Sequence, residues 1–200
     1  MSKSYMFIIL LILLTGLLVL ESPILAENNI DRLIMSEIHI DKNEPAKNFI
    51  EIYNPTDKPL TLIRLRLSTL LTPNILPYEY RDGIVLSAHE KIIVCANEDF
   101  LGEVSHPGIR IIEAEPLKVT CSGGFFAIVN KESTSVPIDV VRYGDPKRSD
   151  HVKAFSNIQV IPLPENGKSY SRPITENNGS ISVADFIESV RSPGDITIDR

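Results

Sequence analysis

The chain has 200 residues, with 20 Lys or Arg against 26 Asp or Glu, which gives a formal net charge of −6. A mildly acidic surface does not attract phosphate backbones, and this argues against nucleic acid as a partner. The length suits one domain that buries a sizeable core.

The first 26 residues follow the pattern of a secretory signal peptide. Lys3 precedes an apolar run over residues 5–20, and the small residue Ala26 comes before a polar segment. The run is shorter than the ~20 residues that a membrane-spanning helix needs. Ile24 stands where cleavage prefers a small residue, so an uncleaved anchor remains the alternative. In both cases residues 27–200 are expected outside the cytoplasm, with membrane contact only through residues 5–20 if they are retained.

The mature chain begins with alternating strands. Over residues 33–41, Ile38 and Ile40 fall on one face. The other face carries three polar residues, which are Glu37, His39 and Asp41. A second strand is predicted over residues 49–53 and ends at a turn rich in proline. Residues 60–68 alternate strictly and predict a single strand, in which two leucines point inward (Leu65, Leu67) and two arginines outward (Arg64, Arg66).

A long loop over residues 69–83 comes next, and a helical turn is predicted at residues 97–101. Further short strands are predicted over residues 84–86, 91–96, 109–112, 123–130 and 136–143, the last two as a hairpin. Residues 166–194 contain no long strand. So many short strands with close turn signals indicate an all-β fold, an immunoglobulin-like antiparallel β-sandwich formed by residues 27–200.

The order of these elements resembles a lamin-tail domain, the immunoglobulin-like module found at the end of nuclear lamins and in many exported microbial proteins. The matching segments are residues 34–38, 48–56, 60–68, 83–86, 92–94, 123–130, 138–144, 167–172 and 192–194. The most specific is residues 48–56 followed by an alternating strand. The resemblance implies the sandwich fold and a role in binding or scaffolding.

The chain also departs from the lamins. It shows no heptad rod before the domain, no prenylation signal at Asp199 and Arg200, and a signal peptide instead. The filament function of lamins is therefore not expected to carry over.

Two cysteines, Cys95 and Cys121, suggest a disulfide in an oxidising compartment, where it would stabilise the fold by roughly 3 kcal/mol. Two buried, unpaired thiols are the alternative. Asn178 opens an N-glycosylation sequon in a polar loop, and an unmodified turn is the alternative there.

The candidates for a divalent metal site are Glu37, His39, Asp41 and Glu51. The alternative is that these polar side chains simply form a solvent-exposed strand face. A calcium ion held by the loop carboxylates of Asp145 and Asp150 is a further candidate, but the sequence there has no EF-hand pattern. No nucleophile elbow or phosphate-binding glycine loop occurs, so we expect no enzyme and no cofactor. A metal-dependent hydrolase of exported substrates that uses Glu37, His39 and Glu51 is the alternative function.

Sandwich domains bind through end loops or sheet edges, and the long loops are residues 69–83 and 144–166. The first carries Tyr78, Tyr80 and Arg81, which resemble interface composition, although tyrosines tucked onto the core are the alternative. Four basic residues in and just before the second loop are interleaved with acidic ones, and this cluster is interpreted as a solvated loop (Arg142, Lys147, Arg148, Lys153). The expected partner is an envelope or extracellular protein or glycan. Self-association through sheet edges is a further alternative.

Overall fold

The computed structural model describes residues 32–67, 74–101, 108–118, 122–129, 137–145, 158, 160–165, 168–177, 180–183, 185–190, 192 and 198–199. In chain order the strands are β1 (Ile34–His39), β2 (Phe49–Tyr53), β3 (Leu60–Leu62), β4 (Arg64–Leu67), β5 (Ile84–Leu86), β6 (Lys91–Cys95), β7 (Arg110–Glu113), β8 (Gly123–Val129), β9 (Pro137–Gly144), β10 (Val160–Ile161), β11 (Lys168–Ser171), β12 (Ile174–Asn177), β13 (Ser180–Val183), β14 (Ile187–Val190) and β15 (Ile198–Asp199). Short 3-10 turns span Pro45–Lys47, Tyr78–Tyr80, Glu98–Phe100 and Glu115–Lys118.

Two sheets enclose the main core. The larger has the order β14-β11-β1-β2-β6-β7, and the second has the order β10-β9-β8-β4. Each contributes alternating apolar side chains to one cluster, Met35, Ile38, Ile50, Ile52, Ile92 and Val94 from the first and Leu65, Leu67, Phe126, Ile128, Val141 and Tyr143 from the second. Burial of such side chains stabilises by about 1.5–3 kcal/mol each relative to exposure. The chain is an all-β sandwich, as the sequence predicts.

Most predicted elements are confirmed, including the hairpin of β8 and β9, in which Gly123 lies opposite Gly144. The helical turn is present as Glu98–Phe100. The described strands between residues 166 and 194 have four residues each.

The single strand predicted over residues 60–68 is wrong. It divides at Ile63, because β3 pairs with β5 whereas β4 pairs with β8 in the second sheet. Leu65 and Leu67 do point into the core, as predicted. Period-two alternation continues through the division, so the pattern itself does not reveal a change of pairing partner.

Pairing is mainly antiparallel, as the sequence predicts, with three parallel pairs among the described strands. The pairs β6–β7, β9–β10 and β12–β15 are parallel. A parallel pair needs a connection that returns the chain to the starting end of the first strand.

A one-residue bulge in β1 decides which of its side chains reach the core. Met35 and Glu37 lie opposite consecutive residues of β2, so Ser36 is the extra residue. Met35 and Ile38 therefore both point inward although they are three positions apart. Strict alternation would instead turn Glu37 into the core.

Asp139 of β9 holds this bulge in place. Its Oδ2 accepts the backbone N–H of Met35 at 2.8 Å and the guanidinium of Arg172 at 2.7 Å. The guanidinium carbon of Arg172 lies 4.1 Å from the ring centre of Phe186. One buried carboxylate thus connects the second sheet to β1 and to the chain that leaves β11.

Asn54 organises the turn that follows β2, within the most specific segment of the resemblance. Its side chain is fully buried, and Nδ2 lies 2.8 Å from the carbonyl oxygens of Lys58 and Ser87 and 3.1 Å from that of Leu86. Oδ1 accepts the backbone N–H of Thr56 at 3.0 Å and its hydroxyl at 2.8 Å. One amide therefore satisfies the backbone of two separate turns.

We expect Asn54→Ala to lower the free energy of unfolding by about 2–4 kcal/mol, because it leaves buried carbonyl groups without donors. Urea denaturation followed by circular dichroism measures the change. Asn43→Ala is the matched control, since Asn43 is exposed and its loss should change stability by about 0.5 kcal/mol or less. Equal effects of the two substitutions would contradict this role of Asn54.

Candidate functional site

The loop before β5 presents one tyrosine to solvent and buries part of another. Tyr78 is 77 % exposed, whereas Tyr80 is half-buried and packs against the main core. The Arg81 guanidinium carbon lies 5.0 Å from the Tyr78 ring centre, and the guanidinium donates a hydrogen bond to the Tyr78 hydroxyl. The two alternatives for this loop thus apply to different residues: Tyr80 anchors it, and Tyr78 is available for contact.

Hydrogen bonds and a close backbone contact fix the described end of this loop, residues 77–83. Its 3-10 turn is closed by hydrogen bonds from Tyr80 N to Pro77 O at 3.0 Å and from Arg81 N to Tyr78 O at 3.1 Å. Gly83 has φ +99°, and a Cβ there would lie 2.7 Å from a methyl carbon of Thr61 on β3. The glycine is needed for both its backbone angle and this close approach.

The face of the larger sheet that points away from the main core, called the outer face below, carries buried polar side chains. Glu37, His39 and Glu51 are 2 %, 3 % and 1 % exposed. Their assignment to a solvent-exposed strand face is therefore wrong. Apolar clusters cover the neighbouring parts of this face, with Leu101 on Phe49 and Ile93, and Ile174 on Ile34 and Tyr53.

Glu51 occupies the centre of the outer face. Its Oε1 accepts Lys91 Nζ at 2.7 Å and the Ser36 hydroxyl at 2.6 Å. Lys91 comes from β6, next to β2, and its side chain is 6 % exposed. The β1 bulge places Ser36 on this face, so the bulge completes the surroundings of Glu51.

Glu37 lies directly opposite Glu51 in the ladder between β1 and β2. Its Oε1 accepts the Ser169 hydroxyl at 2.5 Å and the backbone N–H of Ser192 at 2.9 Å. Burial raises the pKa of Glu37, and the charge of Glu51 raises it further, while the hydrogen bonds from the serines act in the opposite direction.

His39 and Asp41 extend the row toward the end of β1. His39 Nδ1 lies 2.6 Å from the carbonyl oxygen of Lys168, and because a carbonyl only accepts, Nδ1 carries the hydrogen. Asp41 lies past the strand, where Oδ1 accepts the backbone N–H groups of Asn43 and Glu44. Burial would raise the pKa of Asp41, but these amide hydrogen bonds outweigh it and lower the pKa.

The structure brings Glu37, His39 and Glu51 onto one face and separates Asp41 from them. Among the described residues, no group of three His, Cys, Asp or Glu side chains has the arrangement of a metal site. A cavity of about 210 Å³ beside His39 and Asp41 is also lined by Lys42, Leu163 and Glu165. The geometry therefore gives no support to the four-residue metal site.

Cys95 is buried beside Phe49 and Leu101. Burial, with the nearby charges of Glu113 and Glu98, raises the pKa of its thiol to about 12. Cys121 and Asn178 lie outside the described residues, as do residues 1–26, so the disulfide, the glycosylation and the signal peptide stay predictions.

The loop over residues 144–166 is described only in part, and Asp150 falls outside that part. Arg142, assigned to a solvated loop with the basic residues that follow it, is instead buried on β9. Its guanidinium donates to the carbonyl of Ile158 at 3.3 Å. That part of the interpretation is wrong, because β9 extends to Gly144 and encloses the arginine.

Sequence reasoning missed Lys91, Ser36, Ser169 and Ser192 as members of the outer face. A lysine at the start of an apolar strand is only a weak signal for a buried polar contact. Alternation places Lys91 on the same face of β6 as Cys95, but it does not show that Glu51 lies on the neighbouring strand. The pairing of Tyr53 with Lys91 in the ladder between β2 and β6 brings Lys91 close to Glu51. That register comes from tertiary structure.

In comparison with known proteins, the chain matches no family model and no curated protein. Within the part of the chain that the structure describes, no helix is long and apolar enough to cross a membrane.

We expect Glu37→Gln to flatten the dependence of stability on pH. A raised pKa means that Glu37 contributes stability that is fully present below its ordinary value of 4.5 and is lost as pH rises through the folded-state pKa. Glutamine keeps an oxygen acceptor for the serines but does not titrate. Thermal midpoints measured from pH 4.5 upward should therefore decline less in the variant.

Glu44→Gln provides the control, because Glu44 lies exposed in the turn after β1. An unchanged slope in Glu37→Gln would show that the buried carboxyl does not control this pH dependence.

Proposed function

We propose that the chain is a non-catalytic binding or scaffolding module that works outside the cytoplasm and binds through the loop that presents Tyr78 and Arg81. The exposed tyrosine, fixed against an arginine, carries this proposal. Tyrosine and arginine are enriched among residues that dominate binding energy at protein interfaces.

The shape of the loop favours binding with little loss of conformational freedom. Tyr80 anchors the 3-10 turn in the core, and Gly83 fixes its exit beside β3. Arg81 has a 61 % exposed side chain, so both groups are accessible while their geometry is set in advance. A preorganised surface gains affinity because less ordering is required on binding.

The carboxylates of the outer face support a structural role over turnover of a substrate. Glu51 is engaged by Lys91 and Ser36, and Glu37 by Ser169 and Ser192. Both carboxylates are buried, and a substrate would have to displace these contacts to reach them.

The family and the location belong to the same proposal. The resemblance to lamin-tail domains rests on the order of the strands and on the sequence of residues 48–56. The pattern of residues 1–26 supports export. The expected partner is an envelope or extracellular protein or glycan, recognised by an aromatic ring and a guanidinium.

We expect the double substitution Tyr78→Ala and Arg81→Ala to weaken partner binding by about 2 kcal/mol, roughly 30-fold, since it removes both exposed groups. Immobilised full-length protein would be exposed to separated protein and glycan fractions of an envelope extract, and the bound fraction titrated. The melting temperature should change little because Tyr78 is exposed.

Val190→Ala is the matched control, because Val190 is exposed on β14 rather than on this loop. Binding that survives the double substitution, or that falls equally with Val190→Ala, would exclude this loop as the binding surface.

Self-association is a second candidate, favoured by the apolar side chains on β14. This strand ends the larger sheet, and Ile187 and Val190 are 54 % and 79 % exposed. Apolar strands at a sheet edge are templates for pairing with another chain. The second copy would then add its own edge strand.

We expect Val190→Lys to convert a concentration-dependent dimer into a monomer, because a lysine on an edge strand opposes strand pairing. Sedimentation velocity over a concentration series measures this, with Val85→Lys as the control at another exposed valine. A wild-type protein that remains monomeric at all concentrations would eliminate this candidate.

A further inference from the structure

Lys91 and Glu51 form a buried amine–carboxyl pair with an unusual setting. Lys91 Nζ lies 2.7 Å from Glu51 Oε1, and the two side chains are 6 % and 1 % exposed. By contrast, Lys168 and Glu188 form a similar contact at 2.9 Å with side chains 42 % and 31 % exposed. The chain therefore contains the same chemical pair once in the interior and once near solvent.

The surroundings of the buried pair exclude water and supply hydrogen-bond donors. The ring of Tyr53 lies 5.9 Å from Lys91 Nζ, and the Ser36 hydroxyl donates to Glu51 Oε1 at 2.6 Å. Both donors, Lys91 Nζ and the Ser36 hydroxyl, contact the same carboxyl oxygen of Glu51, so the amine nitrogen of Lys91 lies directly beside the carboxyl group.

A second carboxyl group stands beside the pair. Glu37 lies directly opposite Glu51 in the ladder. Burial raises the pKa of Glu37, which favours its protonated form and so a group able to donate a proton. The hydroxyl of Ser169 and the backbone N–H of Ser192 hold it in place.

We propose that Lys91 and Glu51 condense into an intramolecular amide bond that joins β6 covalently to β2. Lys91 Nζ passes one proton to Oε1 of Glu51, and its lone pair then attacks Cδ. Negative charge develops on Oε2, while Oε1, which accepts a hydrogen bond from the Ser36 hydroxyl, becomes the leaving hydroxyl. Glu37 donates a proton to the departing hydroxyl, which leaves as water. The amine proton then returns to Glu37, so one C–N bond forms, one C–O bond breaks and no other reactant is consumed.

The geometry accounts for why condensation is favoured here and not at the surface. Two groups held in contact by a folded sheet react with effective molarities on the order of 10⁵–10⁸ M in well-oriented cases, which accelerates attack of the amine on the carboxyl group. The contact between Lys168 and Glu188 lacks this enclosure, because both side chains reach solvent.

The mass of the denatured, reduced full chain tests the proposal. The measured mass of the wild-type protein should be lower than the mass calculated from its sequence by one water molecule. Tryptic digestion should give a branched peptide that joins the segment of Glu51 to that of Lys91, with no cleavage after Lys91. Lys168 should be cleaved normally, which makes the exposed pair an internal control.

Three conservative variants separate the chemistry from ordinary salt bridging. Lys91→Arg keeps the charge and the contact but has no amine nucleophile, so its mass should equal the unmodified sequence. Glu51→Gln should lose one ammonia molecule instead of water. Glu37→Gln should slow the joining on the order of 10²-fold, as removal of a general acid does.

The proposal is overturned if the wild-type protein has its unmodified mass and is cleaved after Lys91. It is also overturned if Lys91→Arg loses water as the wild type does, since the dehydration would then lie elsewhere. Circular dichroism of each variant establishes that its sheet is folded before the masses are compared.

Discussion

The carboxylate of Asp139 binds the backbone of β1 from the opposite sheet. A bulge frees the N–H of Met35 from the ladder, and an unpaired buried N–H costs about 1–3 kcal/mol. Asp139 accepts that N–H at 2.8 Å and is balanced by Arg172 at 2.7 Å. Because the bulge is held in this way, Met35 and Ile38 both enter the core, and Ser36 and Glu37 turn to the outer face.

The outer face is the chemical consequence of that bulge. Ser36 reaches Glu51 only because it is the extra residue, and Glu37 lies across from Glu51 instead of in the aliphatic core. Two carboxyl groups are thereby enclosed within one sheet, with Lys91 as the nearby cation. A buried ion pair adds little net stability over apolar packing. We propose that the buried pair specifies the register of the strands and undergoes covalent chemistry. Contact with partners is assigned to the separate loop around Tyr78.

Sequence patterns predicted much of this architecture, because alternation and turn residues act locally. The strands at β1, β2, β5, β6, β8 and β9 follow from period-two apolar positions and the prolines and glycines between them. Tyr78 and Tyr80 were found as candidates, but their different roles depend on how the 3-10 turn meets the core. The division at Ile63 and the parallel pair of β6 and β7 were missed, because pairing partners lie far away along the chain. The candidates Cys121 and Asn178 lie outside the described residues and stay predictions.

Residue patterns alone predict the all-β class, the apolar face of each strand and the residues that end the strands, since these follow from side-chain periodicity and backbone restrictions. The burial of Glu37, His39 and Glu51, and the contact of Lys91 with Glu51, arise from tertiary contacts. Burial is a property of what covers a face, and proximity across a sheet is a property of register. Both depend on long-range contacts, such as that between Asp139 and Met35, whose partners are 104 positions apart in the chain.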